Sequence, residues 1–394
     1  MDKRIFILAL ASFVVGSVEL VIAGIMDMIA QDLHVSVGVV GQLVSVYSLV
    51  FALGSPILIT LTAKVERRKL LVIAMLVFTA GNIMSMLSPN FTVLLLSRII
   101  LAASCSIVVV LAITLASGIV TPEAKGRAIG LIFMGISAAL VLGVPLGTLI
   151  GEAWGWRATF AFIGVLSFVV TICIMKFLPQ AASTPRIPMQ EQLRSMGNSK
   201  VVFAHLVSIL QMTGQFTIYA YITPFLQTML NLSVGQISFV LLVYGLAGIA
   251  GGWIGGWASD RFGTARTMIV TLLLHAIAIL LLPWAAASMM RLLPVVIVWC
   301  AFNMAPSPAI QSYLVRLAPK SADIQLSLNT SALHLGVAAG SAVGGVVISR
   351  YEVTANAWIG GLVVILAIVS SIVSLYRGRG VYSKKDSSLQ ENPS

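Results

Sequence analysis

An all-α membrane protein with twelve transmembrane helices in two six-helix pseudo-repeats is the fold class that three observations predict. The first is composition: of 394 residues, 59% are hydrophobic and only 9% charged, where a soluble domain averages about 25% charged. The second is recurrence: apolar windows of about 20 residues, enough to cross a hydrocarbon layer of about 30 Å, follow one another along the whole chain. The third is an internal repeat at half the chain length. Mean hydropathy of +1.02 says the same as the composition: no soluble core needs this much apolar sequence.

The spans are predicted at 5–27, 37–62, 70–88, 92–119, 127–151, 157–179, 201–229, 236–258, 267–285, 292–315, 324–349 and 356–376. Residues 200–235 and 285–295 are the least sharply bounded. The first window follows Lys3 and Arg4 as a secretory signal would, but its apolar run exceeds the usual 7–15 residues, and further spans follow. It reads as an uncleaved first helix. The long polar interval Gln180 to Lys200, with Pro185 and Pro188, divides the chain into a first bundle at 1–180, a linker at 181–200, a second bundle at 201–380 and a disordered tail at 381–394.

Basic residues decide the orientation. With the amino terminus inside, the inner loops hold Lys3, Arg4, Lys64, Arg67, Arg68, Lys69, Arg261, Arg266, Arg377 and Lys384 among others, and the outer loops only Arg157, Arg291 and Arg350. That asymmetry is the positive-inside pattern, so both termini are expected in the cytoplasm and the chain in the cell membrane. It also accounts for the net charge of +11 without a nucleic-acid partner. Cys105, Cys173 and Cys300 lie in apolar runs without the spacing of a metal or redox site. No metal and no cofactor are expected, and a monomer is.

Glu19 carries the chemistry. It stands alone in IFILALASFVVGSVELVIAGIM, where a carboxylate costs roughly 2.5–3.5 kcal/mol to insert and therefore faces a polar interior. Binding and releasing a proton is the natural use of such an acid. Arg98, in LLLSRIILAAS, is a guanidinium in the fourth span and needs a buried acceptor or a water-filled cavity. Glu19 is the acid at comparable depth. The two are read either as a static pair, with Arg98 snorkelling as a variant of it, or as a tuned couple in which Arg98 sets how tightly Glu19 holds its proton.

The half-length repeat appears where SPILITLTAKVERRKLL follows the second span and GGWASDRFGTARTMIV the eighth. Aligning them sets Ala63 opposite Asp260, 197 positions on, which is half of 394. The second copy, Gly256 to Gly263 with Asp260 and Arg261, resembles the loop between helices 2 and 3 of the major facilitator superfamily. In it Asp260 is expected to accept hydrogen bonds at a helix start and to pair with Arg261 or Arg266, latching helices together. The first copy departs from that pattern, with Ile59, Ala63 and Glu66 at the key positions, so its latch must differ and Glu66 is the candidate for it. Its cluster of Arg67 and Arg68 reads either as part of a conformational latch or as a topology signal.

In the fifth span Gly143, Gly147 and Gly151 recur every four residues around Pro145. Small residues at this spacing allow close helix packing and the proline adds a kink. A glycine and proline pattern on this helix also resembles that of the antiporter branches of the superfamily, where it implies a seal against proton leak. The local form GVPLGT is closer to the sugar, nucleoside and purine exporters than to the drug pumps.

Candidate substrate contacts are Gln42 and Tyr47 in the second span, Gln211, Gln215, Tyr219 and Tyr221 in the seventh, Trp299, Asn303, Gln311 and Tyr313 in the tenth, and Asn329, Thr330 and His334 in the eleventh. An apolar pocket with a few such groups suits a small planar ligand. Tyr219 and Tyr221 also read as interfacial anchors, and His205 and His275 as packed, hydrogen-bonded histidines. Over nearly its whole length the chain is similar to drug/proton antiporter family 1, and VGSVELVIAGIMDMIAQDLHVS, LGVPLGTLIG and LNTSALHLGVAAGSAVGGVVI look most like bacterial purine efflux pumps. Asp27 departs from the proline usual there. The resemblance implies the major facilitator fold, alternating access and proton-driven efflux of purine bases or nucleosides. Sugar or multidrug efflux is the alternative. A membrane-embedded enzyme is disfavoured because the dispersed histidines form no nucleophile–base or HExxH constellation; a channel is the remaining class.

Overall fold

A computed structural model of the chain describes residues 3–121, 124–180 and 195–376. Most of the 181–200 segment and all of 381–394 lie outside the described residues. Every regular element described is helical. Among the described residues eleven helices are long and apolar enough to cross a membrane: α2 (Val37–Leu61), α3 (Arg67–Met86), α4 (Phe91–Ile119), α5 (Lys125–Trp154), α6 (Trp156–Phe177), α7 (Ser199–Tyr219), α8 (Val234–Phe262), α9 (Thr264–Ala285), α10 (Met289–Leu317), α11 (Ile324–Arg350) and α12 (Ala355–Tyr376). The pair Lys3–Leu20 and Ile22–Asp32, bent by 46°, supplies the twelfth as one broken span, α1. A short helix, Ile222–Leu230, prolongs α7.

Polar side chains at the junctions start these helices. Asn90 caps α4 by accepting from Val93 N at 3.0 Å, Asn198 caps α7 by accepting from Lys200 N at 3.0 Å, and Ser233 with Gln236 forms a reciprocal capping box on α8. Bulky apolar side chains such as Phe6, Leu53, Phe168, Leu246 and Leu366 cover the outside, each about half exposed. So large an apolar exterior is a lipid-facing surface. Trp154 and Trp284, near helix ends, are exposed as interfacial anchors are.

Two apolar cores match the two pseudo-repeats. One runs from Ile5 to Leu178 and borrows Ala220, Tyr221 and Val337; the other runs from Val201 to Ala367 and borrows Ala23 and Val144. Each half has the same parallel stitch. A Cβ on Gly143 would lie 2.4 Å from Ser17 Oγ and one on Gly147 2.3 Å from Val21 Cγ2, so only glycine lets α5 pack this tightly on α1. In the second half Gly336, Gly340 and Gly344 of α11 face the carbonyls of Ile209, Thr213 and Thr217 on α7. The kink expected at Pro145 takes the form of a π-helical turn, Ala139–Gly143, because the proline has no N–H to continue the regular ladder.

The halves meet on the face that carries Arg157. Thr223 Oγ1 donates to Ala23 O at 2.6 Å and Ser341 Oγ to Gly41 O at 2.9 Å, both across the seam. The ring of Tyr221 is enclosed there against Gly41, Gly344 and Gly345, its hydroxyl donating to Ser341 O at 2.7 Å. On the same face Asp32, at the end of α1, accepts from Arg157 Nη1 at 2.5 Å and from Trp156 Nε1 at 3.1 Å, joining α1 to α6.

Candidate functional site

Glu19 closes the first arm of α1, two residues before the bend begins at Val21. Its carboxylate is 18% exposed, and Oε1 approaches Nδ1 of His334, on α11 in the other half, at 3.3 Å. The imidazole, 14% exposed, lies flat on Phe51 of α2, with ring centroids 3.8 Å apart and 25° between planes. Three helices from both halves thus bring an acid, an imidazole and an aromatic face to one point. That Nδ1 makes no properly directed hydrogen bond, so the approach is close without being a formed bond.

Arg98 is fully enclosed, and it does not pair side chain to side chain with Glu19 as the sequence suggested. Its Nη1 donates to Val18 O at 2.9 Å, its Nε to Leu43 O at 3.3 Å, and its guanidinium lies 4.2 Å over the ring of Tyr47. The cation therefore binds the backbone of the residue next to Glu19, and carbonyl dipoles with a π face meet its charge. The carboxylate remains turned to the seam, where His334 takes the place foreseen for arginine. Around this pair the charged or titratable neighbours are Arg98 and Cys105 of α4 and Tyr47 of α2.

The other predicted contacts separate into two groups. Gln215, Tyr219 and Asn303 are enclosed in the second half: Gln215 Oε1 accepts from Trp299 Nε1 at 2.8 Å and pairs with His275 Nε2 at 3.0 Å, while Gln215 Nε2 donates to Tyr244 OH at 2.6 Å. Tyr219 stacks on Tyr244 at 4.9 Å. Asn329 Oδ1 accepts from Ser208 Oγ at 2.7 Å, and His205 Nε2 meets Gln325 Oε1 at 2.8 Å. Gln215, Asn329, His205 and His275 are spent on packing α7 against its neighbours, whereas Asn303 Oδ1 and the Tyr219 hydroxyl are buried without a hydrogen bond. Gln42, in the first two turns of α2, is exposed. Sequence reading passed over Phe51 and Tyr244; the one local sign of Phe51 is its place one helical turn after Tyr47.

Of the gating candidates, Gly143, Pro145 and Gly147 lie inside α5, and Arg67, Arg68, Asp260, Arg261 and Gly263 at the ends of helices. Gly263 joins α8 to α9 with φ 85°, a backbone that glycine adopts without strain. Asp260 and Arg261 beside it are exposed; Arg261 lies 5.6 Å over Trp257, and no ion pair of Asp260 occurs among the described residues. In the first copy Glu66 stands where Gly263 does in the second and solves the same junction differently: its carboxylate caps α3, accepting from Arg68 N at 2.9 Å and Lys69 N at 2.8 Å. Arg68 Nη2 donates to Met175 O, tying α3 to the end of α6, and Arg67 is buried. Among the described residues no cluster of three or more His, Cys, Asp or Glu converges as a metal site would.

Comparison with known proteins agrees with this architecture. The sequence profile described as Major Facilitator Superfamily matches residues 8–322 and 204–393. Two relatives from Bacillus subtilis (strain 168) are similar over nearly their whole length. They are the uncharacterised MFS-type transporter YbcL, 33% identical over 94% of this chain and 95% of its own, and the uncharacterised MFS-type transporter YtbD, 32% identical over 92% of each. Among solved structures the D-xylose-proton symporter superposes with TM-score 0.78 at 16% identity, over 94% of this chain and 96% of its own. A bacterial homologue of the human lysosomal transporter Spinster, inward-facing and unoccupied, superposes with TM-score 0.71 at 15% identity, over 94% and 95%. At such identities the likeness is one of fold. The chain belongs to the major facilitator superfamily and is a multi-pass membrane protein, a secondary transporter of small molecules.

Proposed function

We propose that this transporter is a proton-coupled antiporter that exports purine bases or nucleosides, in the manner of drug/proton antiporter family 1 and its purine efflux branch. The observation that carries the reading is Glu19: a carboxylate at mid-span, partly open, at the seam between the two halves, beside an enclosed guanidinium bound to the adjoining backbone. A group so placed can exchange a proton with one side of the membrane in one state and with the other side in the next, which is what alternating access requires. The face of Phe51, on which a flat nitrogen ring already lies, favours a planar solute over a sugar.

In this reading the termini are cytoplasmic, the membrane is the cell membrane and the working unit is a monomer. The Arg157 face is then external, and the contacts at Thr223 and Ser341 close the site to the outside. For one proton against one neutral solute, each 100 mV supplies about 2.3 kcal/mol, a gradient of roughly 50-fold. The test is Glu19→Gln in proteoliposomes. The variant is expected to lose proton-driven uphill efflux while retaining part of its substrate exchange. Uphill efflux undiminished in the variant places the coupling group elsewhere.

A further inference from the structure

We infer that the cleft between Phe51 and Glu19 is the subsite for the ring of a planar nitrogen heterocycle, and that His334 is a resident stand-in for that ring in the substrate-free transporter. The inference rests on the proposed export of heterocyclic solutes and names the subsite that would take them.

Three features of the pair point this way. The imidazole is itself a flat nitrogen heterocycle, lying on Phe51 at a 3.8 Å centroid separation with a ring nitrogen turned to the carboxylate. Its fit is imperfect: the 3.3 Å approach of Nδ1 to Oε1 leaves that nitrogen without a directed hydrogen bond. And both polar side chains keep some exposure, 14% and 18%, whereas the Gln215 cluster is closed. A ligand ring with an in-plane N–H, free of the tether to α11, can lie on Phe51 and still aim its N–H at the carboxylate. That gives a charge-assisted bond of about 2.7–2.9 Å, which the histidine does not achieve.

The same geometry explains coupling. An N–H donated to Glu19 is strongest with the ionised carboxylate, so a proton arriving on Oε1 removes the charge assistance and weakens the hold on the ring. The groups facing the carboxylate set that balance: Arg98 and Cys105 from α4, Tyr47 from α2 and His334 from α11. On α5, the helix packed against this part of α1, Ala139 and Gly143 bring no charge. From α7, packed along α11, His205 is engaged by Gln325 and Tyr221 by Ser341.

Equilibrium binding to purified protein in detergent tests the inference without any gradient. The probes are hypoxanthine, its planar N-methylated relative 1,3,7-trimethylxanthine, which has no N–H, and arabinose. His334→Ala is expected to bind hypoxanthine severalfold more tightly, since a resident ring lowers apparent affinity in proportion to the time it fills the subsite. Phe51→Leu and Glu19→Gln are expected to weaken hypoxanthine tenfold or more, and wild-type protein to bind trimethylxanthine and arabinose at least tenfold more weakly than hypoxanthine. If His334→Ala weakens binding as Phe51→Leu does, His334 is a direct substrate contact and the stand-in idea is overturned. Equal binding of trimethylxanthine and hypoxanthine by wild-type protein, which needs no variant to fold, overturns the subsite. Loss of proton-driven efflux is not read in this assay, so the two proposals fail separately.

Discussion

Replacing Thr223 by valine and Ser341 by alanine removes two hydrogen bonds that cross from one half of the transporter to the other. Thr223 Oγ1 donates to Ala23 O at 2.6 Å and Ser341 Oγ to Gly41 O at 2.9 Å. Side-chain hydrogen bonds between membrane helices average about 0.6 kcal/mol. If both bonds break when the seam on the Arg157 face parts, each substitution favours the parted state about threefold. Together they do so about eightfold, since about 1.4 kcal/mol is a factor of ten. A control lies beside them: Tyr221→Phe also deletes a hydrogen bond, of 2.7 Å to Ser341 O, but Tyr221 and Ser341 belong to the same half. It is expected to leave the balance unchanged. The assay is alkylation of a cysteine introduced at the enclosed Ala23, 3% exposed, after replacing Cys105, Cys173 and Cys300, with an impermeant maleimide supplied to the Arg157 face. The reasoning fails if the double variant reacts no faster than its parent, or if Tyr221→Phe accelerates the reaction as much.

Gln215→Leu strips three partners at once, Tyr244, His275 and Trp299, in a closed environment where each orphaned polar group costs about 1–3 kcal/mol. Thermal unfolding in detergent is expected to show a loss of 3 kcal/mol or more by that same scale, and a variant as stable as the parent removes Gln215 from its role as the packing hub. Gly143→Ala forces a Cβ to within 2.4 Å of Ser17 Oγ, two residues along α1 from Glu19. Overpacking of this kind costs about 1–3 kcal/mol, so a lowered melting temperature with slowed transport is expected; a change in transport with no change in stability favours the proton-seal reading over packing.

What the sequence disclosed and what it concealed divide along a physical line. Hydropathy and basic loops act locally, so the spans could be placed within a few residues: 157–179 was expected where α6 is Trp156–Phe177, and 201–229 where α7 and its extension lie. The third span was expected to begin at 70 but begins at Arg67, because its charged first turn reads as loop until the cap at Glu66 is seen. The break in α1 and the π-helical turn before Pro145 are departures of the backbone ladder, which hydropathy does not record.

The site was legible as an inventory rather than as an arrangement. Glu19 and Arg98 stand out in sequence because charge is scarce in apolar spans, yet the partners of Arg98 are backbone carbonyls, which every residue carries and no sequence marks. The polar and glycine-rich character of its helix marks His334 as a ligand contact. Its approach to a carboxylate more than 300 positions away arises from how α11 lies against α1 and α2. Gln215 and Asn329 were chosen as polar groups in apolar helices, and such groups serve packing as readily as binding; burial separates the two uses here.

One measurement reaches the central claim most directly: proton release when hypoxanthine is added to purified transporter in weakly buffered detergent, across a series of pH values. Competition of ring and proton for one carboxylate predicts that protons appear in step with binding by the wild-type protein and that none appear with Glu19→Gln. Binding by the wild type without proton release, or release undiminished in the variant, contradicts it.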